Sequence, residues 1–127
     1  VFLFWHYNNL NIITFKHWII LANLPYVPTS EYKKLQPEIT KYEPRAAVDG
    51  GKDGLKYYRE LFQQLNQFVT SYKLHITCFC EIDPRQTDSF KKLARQYFSK
   101  SKVTIIKDLS GRNRVAKIIF GLVLPKK

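Results

Sequence analysis

Apolar positions along the chain follow two different periods in its first half. Trp18–Ala22, which reads WIILA, is a continuous apolar run ended by Asn23 and Pro25, and this is typical of a short buried strand. From Gly54 onward apolar residues recur at helical spacing, and we expect Asp53 to be the N-cap of that helix. The helical spacing is carried by Leu55, Tyr58, Leu61, Leu65 and Phe68.

A second strand and helix follow in the same order. Leu74–Glu81 mixes β-branched, aromatic and thiol side chains, which favours a strand. Asp83–Gln86 then places Asp at an N-cap, Pro at the first helical position and Gln at the third, the pattern of a capping box. The apolar stripe of this helix consists of Phe90, Leu93, Ala94 and Tyr97.

The last third of the chain predicts a hairpin. Val103–Lys107 and Val115–Leu124 are typical of strands, and the turn-rich sequence DLSGRNR lies between them. The complete order of strand, loop, helix, strand, helix, strand, strand predicts an α/β fold. We expect an open, mostly parallel sheet with a final antiparallel hairpin.

The long segment 23–53 is the first place to look for chemistry. It is rich in proline and ends near Gly50-Gly51, and a connection of this length in a compact domain is usually functional. Its first four residues follow the first predicted strand, at the strand end where open α/β sheets bind ligands. The Asn23 side-chain oxygen accepts hydrogen bonds, Pro25 restricts Leu24 to an extended conformation, and Tyr26 offers a flat face.

Two acceptors and one stacking plane suit a planar NH2 group, such as a carboxamide or an adenine amine. On these four residues alone, a proline-containing strand exit with a packed tyrosine is the favoured interpretation. The GGKDG sequence lacks both the preceding strand and the Ser or Thr of a phosphate loop. It predicts a tight turn into the following helix.

Charge and composition narrow the class of partner. The 127 residues carry 21 Lys and Arg against 10 Asp and Glu, a net charge of +11. This favours RNA, a ribosome-bound factor or an acidic protein as partner, although a basic solvated surface has the same composition. Arg112, Arg114 and Lys117 leave the same two alternatives open on the hairpin.

Cysteine and histidine spacing gives no indication of a metal site. Cys78 and Cys80 cannot form a disulfide framework, and His6, His17 and His75 show no zinc spacing, so we expect buried free thiols in a reducing cytosol. No run approaches the ~20 apolar residues of a membrane span. The chain begins with Val, so we expect a fragment, and its first residues lack a signal-peptide pattern.

Four segments together resemble a known family. NLPYVP, YEPRAAVDGGKDGLKYYRELF, CEIDPRQ and KDLSGRNRVA are similar, in order and spacing, to the release-factor glutamine methyltransferases (the HemK/PrmC family). The resemblance covers residues 18–123, with residues 1–17 uncertain, and its most specific part runs from Tyr42-Glu43-Pro44 to Tyr58-Arg59. It implies that residues 1–127 form one partial domain, the C-terminal half of a Rossmann-like class I methyltransferase.

The resemblance also assigns roles to residues. Asn23 and the Leu24 carbonyl would hold the substrate glutamine amide, with Pro25 shaping the loop and Tyr26 packed against the amide plane. Asn23 and Tyr26 would be the catalytic residues, and Asn23 would also border the cofactor, S-adenosyl-L-methionine. Leu24 replaces the family's commoner proline, which we expect to preserve function and to loosen the loop slightly.

The activity that the resemblance implies is transfer of a methyl group to glutamine N5 in the Gly-Gly-Gln loop of peptide-chain release factors. We expect this reaction to take place in the cytoplasm, possible proximity to ribosomes or RNA included, and to involve neither a metal nor a membrane. The alternatives are an adenine-amine methyltransferase acting on RNA or DNA, and a non-catalytic basic binding module. The family's Gly-rich cofactor loop is missing, since residues 1–17 contain no glycine. We therefore expect this chain alone to bind the cofactor weakly. Glu43 is expected to be a structural partner of the loop, and Glu81 to order the rim of the site.

Overall fold

The computed structural model describes the backbone of residues 2–7 and both backbone and side chains of residues 17–72 and 74–121. These residues form one sheet in the spatial order β1-β2-β3-β5-β4. Its strands are β1 (Phe2–Tyr7), β2 (His17–Ala22), β3 (His75–Glu81), β4 (Lys102–Lys107) and β5 (Asn113–Gly121).

Two long helices and several short ones connect the strands. The long helices are α3 (Lys56–Tyr72) and α4 (Thr87–Tyr97), while α1 (Thr29–Tyr32), α2 (Pro37–Tyr42) and two 3-10 turns (Arg45–Ala47 and Pro84–Gln86) are short. Within the described ranges, no helix is long and apolar enough to cross a membrane.

The predicted α/β class with a final antiparallel hairpin is confirmed. Strands β2, β3 and β4 run in one direction, while β5 pairs antiparallel with both β3 and β4 and lies between them. Because of that insertion, and because β1 is antiparallel to β2, β2–β3 is the only parallel ladder among the described strands. Fewer ladders are parallel than the sequence predicts, although three strands share a direction.

The core lies on one face of this sheet. Buried positions alternate at the ends of β2 and β5, as expected where one face of a strand packs against helices, and β3 follows the same alternation except that Thr77 is also buried. Phe62 of α3 and Phe90 of α4 meet over this face with ring centroids 5.6 Å apart. The strand residues involved are Ile20, Ala22, Ile76, Cys78, Cys80, Ala116, Ile118 and Phe120, and they form one cluster with Tyr58, Leu61, Leu65, Leu93 and Ala94.

Element boundaries differ from the predicted ones by a few residues. The third strand begins at His75 rather than Leu74, and the helix predicted from Gly54 begins at Lys56. The last strand begins at Asn113 instead of Val115, and its predicted end, residues 122–124, lies outside the described residues. Within the uncertain segment 1–17, Phe2–Tyr7 forms a strand that was not predicted; the side chain of His6 lies outside the described part of the chain.

The topology brings three chain segments to one edge of the sheet. Ala22 pairs with Cys80 in the parallel ladder, so β2 and β3 end side by side. The start of β5 joins them, because the Ile82 amide donates to the Arg114 carbonyl at 2.8 Å. Residues 23–26 and 82–86 therefore leave the sheet as neighbours.

Candidate functional site

The Asn23–Tyr26 segment continues the alternation of β2 beyond its end. Ala22 and Leu24 are buried, whereas Asn23 is exposed and its side chain has no hydrogen bond to any described residue. Leu24 is 7% exposed and belongs to the core cluster, which anchors the loop and opposes the loosening expected from the loss of proline. Asn23 thus presents its amide group outward from a fixed backbone.

Tyr26 is held at two points. Its hydroxyl donates to Glu81 Oε1 at 3.0 Å, and its carbonyl accepts a hydrogen bond from Gln86 Nε2 at 2.8 Å. The Glu81 carbonyl in turn accepts a hydrogen bond from the hydroxyl of buried Tyr58, so the backbone and the side chain of Glu81 are both engaged next to Tyr26. The role of Glu81 in ordering the rim of a site stays a prediction. Partial burial and the adjacent Glu81 carboxylate raise the pKa of Tyr26, so its phenol stays a hydrogen-bond donor at neutral pH.

The GGKDG turn packs directly against this segment. The Gly54 amide donates to the Gly51 carbonyl at 3.2 Å, and both residues have positive φ angles, 73° and 86°, as the predicted tight turn requires. A Cβ atom on Gly54 would lie 2.2 Å from the Tyr26 carbonyl oxygen and 2.1 Å from Gln86 Nε2, and one on Gly50 would lie 2.6 Å from the Pro25 carbonyl oxygen. These glycines let two backbones approach; they do not form a phosphate loop.

Asp53 lies just before α3 and stabilises the backbone that leads into this helix. Its carboxylate accepts the Leu55 N–H at 3.1 Å and pairs with Arg59. The hydrogen bonds from Arg59 lower the pKa of Asp53 to about 2, which keeps the carboxylate charged throughout the neutral range. The prediction that Asp53 is the N-cap is therefore wrong: the Leu55 carbonyl accepts the first intrahelical hydrogen bond, from the Arg59 N–H at 3.1 Å. Asp53 instead forms an Asx turn three residues before Lys56.

Asp49 is a loop-ordering residue that sequence reasoning missed. Its carboxylate accepts from the Thr29 hydroxyl at 2.6 Å, from the Gly51 amide at 3.0 Å and from Arg45 Nε at 3.0 Å. The hydrogen bond from Thr29, aided by those from Gly51 and Arg45, lowers the pKa of Asp49. The loop role predicted for Glu43 was wrong: that side chain is exposed and has no hydrogen bond to a described residue.

The capping box at Asp83–Gln86 forms only in part. Asp83 accepts the Arg85 N–H at 2.8 Å, and Pro84 occupies the first position, as predicted. The Gln86 side chain does not return to Asp83 and instead donates to the Tyr26 carbonyl and, at 3.1 Å, to the Asp53 carbonyl. Gln86 is thus a second residue of the site whose role the sequence did not indicate.

The remaining candidate groups lie apart from this site. Cys78 and Cys80 are fully buried free thiols with sulfur atoms 3.5 Å apart, as expected. His17 contacts Thr77 at 2.9 Å and stacks edge-on against His75. Among the described side chains, no three His, Cys, Asp or Glu residues form a group that could hold a metal ion.

The hairpin cations have internal partners. Arg112 and Arg114 each lie 3.3 Å from Asp108, and Lys117 sits 5.7 Å from the centroid of the Phe79 ring. These contacts fit the solvated-hairpin alternative, although the charges also face outward. Of the three cations, Arg114 also lies near enough to Tyr26 for its positive charge to oppose the rise in the pKa of that phenol.

The described residues fit one side of a cofactor site. Exposed Asn23 stands at the carboxyl end of a parallel strand, where a bound cofactor would meet it. All five glycines of the chain are described, and none directly follows a parallel strand as a glycine-rich cofactor loop would. Most contacts to S-adenosyl-L-methionine, the cofactor that the resemblance implies, would therefore come from other residues.

Comparison with known proteins finds several release factor glutamine methyltransferases that are similar to this chain. The chain is 38% identical over 96 residues to a release factor glutamine methyltransferase of Thermodesulfovibrio yellowstonii and 32% identical over 97 residues to one of Bacillus cereus, covering 76% of this chain in each case. A relative from Geobacter sulfurreducens with the same name is 58% identical over 41 residues, which are 32% of this chain and 14% of that protein. No family model matches the chain.

The chain spans about a third of the length of the curated relatives it matches, 33% of each of the first two. The matched part corresponds to their C-terminal region, in agreement with the resemblance drawn from the motifs. With these relatives and the α/β half-fold described above, the chain belongs to the release factor glutamine methyltransferase (HemK/PrmC) family.

Proposed function

We propose that this chain carries the substrate side of a protein-(glutamine N5) methyltransferase whose methyl donor is S-adenosyl-L-methionine. The proposed substrate is the Gly-Gly-Gln loop of a peptide-chain release factor, modified in the cytoplasm. The names of the relatives support a release factor as substrate. One observation carries the proposal: Asn23 is exposed at a strand end, its side chain has no hydrogen-bond partner in the described part of the chain, and it lies beside a tyrosine held at both its hydroxyl and its carbonyl.

The chemistry follows from the hydrogen-bonding capacity of these groups. An amide nitrogen is a poor nucleophile because its lone pair is delocalised into the carbonyl. In the proposed complex, Asn23 Oδ1 and the Leu24 carbonyl accept the two N–H groups of the substrate carboxamide, and Tyr26 packs against its plane. Acceptors on both N–H groups stabilise the positive charge that develops on nitrogen during attack. The cofactor supplies an electrophilic methyl group on sulfur.

Orientation contributes the second part of the rate. The core anchoring of Leu24 and the two bonds of Tyr26 fix the acceptors before substrate arrives. Preorganised acceptors need no rearrangement during methyl transfer, and a fixed amide keeps nitrogen, methyl carbon and sulfur in line. No general base is needed, because the proton leaves the nitrogen after transfer.

Turnover would need more than this chain. Residues 1–17 contain no glycine, and the five glycines of the chain lie in the GGKDG turn, in the hairpin turn and at the end of β5, so we expect the main cofactor contacts to come from additional polypeptide. We predict that the isolated 127-residue chain binds S-adenosyl-L-methionine weakly or not at all. Micromolar binding in a calorimetric titration would contradict this prediction.

The activity can be tested in a full-length methyltransferase in which residues 18–121 replace the matching part of a relative. Tritiated S-adenosyl-L-methionine is supplied with a release factor or with ribosomal RNA. We expect label in the release factor, and at least a 100-fold loss of turnover in Asn23→Ala. Asn66→Ala, on the exposed face of α3, is the matched control and should keep full activity.

Label in RNA alone would overturn the choice of substrate. It would favour an adenine-amine methyltransferase, which the Asn-Leu-Pro-Tyr sequence and the net charge of +11 also fit. Absence of label in both substrates, together with an unchanged cellular role of Asn23→Ala, would favour a non-catalytic basic binding module.

A further inference from the structure

Gln86 connects two distant parts of the loop region through one nitrogen atom. Its side chain follows β3 in the Pro84–Gln86 turn and is 7% exposed. Nε2 donates to the Tyr26 carbonyl at 2.8 Å, 60 residues away in sequence, and to the Asp53 carbonyl at 3.1 Å, 33 residues away. Both hydrogens of the amide are thereby used on backbone acceptors.

The other end of the same amide is unsatisfied. Gln86 Oε1 is buried and has no hydrogen-bond partner among the described residues. A buried acceptor without a donor is unfavourable, and reversing the amide would place its oxygen against two carbonyl oxygens. The observed orientation is thus the one that serves Tyr26 and Asp53, and the residue is used here for its two donors.

The two hydrogen bonds from Gln86 Nε2 to the Tyr26 and Asp53 carbonyls form a clamp, and the surrounding backbone leaves it little freedom to move. The Gly54 Cα approaches so closely that a Cβ there would touch both Gln86 Nε2 and the Tyr26 carbonyl oxygen. On the far side of Tyr26, Glu81 holds the hydroxyl. Gln86 therefore fixes the backbone of Tyr26 while Glu81 fixes its ring, and the two contacts together set where the preceding acceptors point.

We propose that Gln86 is a positioning residue for the amide-binding segment Asn23–Tyr26. It touches neither substrate nor cofactor; it fixes the Tyr26 carbonyl and so the placement of Asn23 Oδ1 and the Leu24 carbonyl. The inference rests on the proposed function for its effect on turnover, whereas the clamp itself is a property of the isolated chain.

The clamp is tested first, without any activity. In the 15N-labelled chain, the side-chain NH2 protons of Gln86 should exchange with solvent at least tenfold more slowly than those of Gln64, which is exposed on α3. Equal exchange rates for the two residues would overturn the clamp whether or not the protein is an enzyme.

The positioning role is tested in the full-length methyltransferase. Gln86→Met keeps the size of the side chain and removes both donors. We expect kcat per folded molecule to fall at least tenfold while KM for S-adenosyl-L-methionine changes less than twofold. Leu65→Val, a buried change in α3 that lowers stability away from the loop, should leave kcat unchanged.

The Gln86 NH2 protons could exchange slowly while Gln86→Met and Leu65→Val have equal kcat. That result would overturn the positioning role and leave Gln86 a structural crosslink. Slow exchange without any methyl transfer by the unsubstituted protein would instead overturn the proposed function, and with it the effect on turnover. These two failures are distinguished by the activity of the unsubstituted protein.

Discussion

The contact between the GGKDG turn and Tyr26 can be tested by one methyl group. Gly54→Ala and Gly111→Ala place the same Cβ on residues with nearly the same backbone conformation, φ 73° and 78°. Around Gly111 no heavy atom lies within 4 Å of that Cβ, whereas at Gly54 two atoms lie at 2.1 and 2.2 Å. The pair therefore separates backbone strain from contact with the loop.

The expected loss in the free energy of unfolding can be worked out for each variant from the typical energies of backbone strain and of a lost hydrogen bond. A left-handed conformation costs Ala roughly 1–2 kcal/mol, so Gly111→Ala should lower the free energy of unfolding by about that amount. Gly54→Ala pays the same strain and must also separate Gln86 Nε2 from the Tyr26 carbonyl. A buried carbonyl left without its donor costs about 1–3 kcal/mol. We expect a total of about 2–5 kcal/mol for Gly54→Ala.

Urea denaturation followed by tryptophan fluorescence measures both variants. With a slope of about 1–3 kcal/mol per M, the urea midpoint of Gly54→Ala should lie about 1 M below that of Gly111→Ala. If Gly54→Ala does not fold whereas Gly111→Ala does, the same inference is supported, because the destabilisation of Gly54→Ala is then larger still. Equal midpoints would refute the inference that the turn packs against the Tyr26 backbone.

Three further predictions concern single side chains. Asn23→Ala should change the free energy of unfolding by less than about 0.5 kcal/mol in thermal denaturation, because the side chain is exposed; a larger loss would show a structural role. Tyr58→Phe should cost about 1–3 kcal/mol in the same assay by removing the donor to the Glu81 carbonyl, and no loss would contradict that bond. Arg59 lowers the pKa of Asp53 to about 2 in the folded state. The charged carboxylate therefore adds stability above about pH 4, and this contribution is lost as the pH falls through 2. Because that pair is about half exposed, Asp53→Asn should cost under about 1 kcal/mol at pH 7 and nothing below pH 2, and a constant difference across this range would refute the assignment.

Periodic segments could be predicted from the sequence because burial on one face leaves a local pattern. Leu61 and Leu65 are buried in α3 at the predicted spacing, and Phe90 and Leu93 are buried in α4. The same regularity placed Asn23 at a strand end, outside the core. The residues that carry the resemblance also gave the family and the class of fold.

Contacts between distant loops left no such pattern. Gln86 occupied the third position of an apparent capping box, and nothing local showed that its amide would reach Tyr26, 60 residues away. Asp49 was missed for a related reason, since its partners Thr29 and Arg45 lie in the irregular segment, where spacing carries no periodicity. The insertion of β5 between β3 and β4 likewise depends on pairing across the chain, so the number of parallel ladders was overestimated.

The position of β5 also constrains the order in which the sheet can be completed. β4 pairs only with β5 among the described strands, so when a ribosome has released the chain as far as Lys107, the backbone groups of β3 on that side still have no partner. Emergence of Asn113–Gly121 closes both ladders together. A premature stop codon before this strand would therefore leave β3 with an open, aggregation-prone edge, because the absence of this one nine-residue strand costs two ladders.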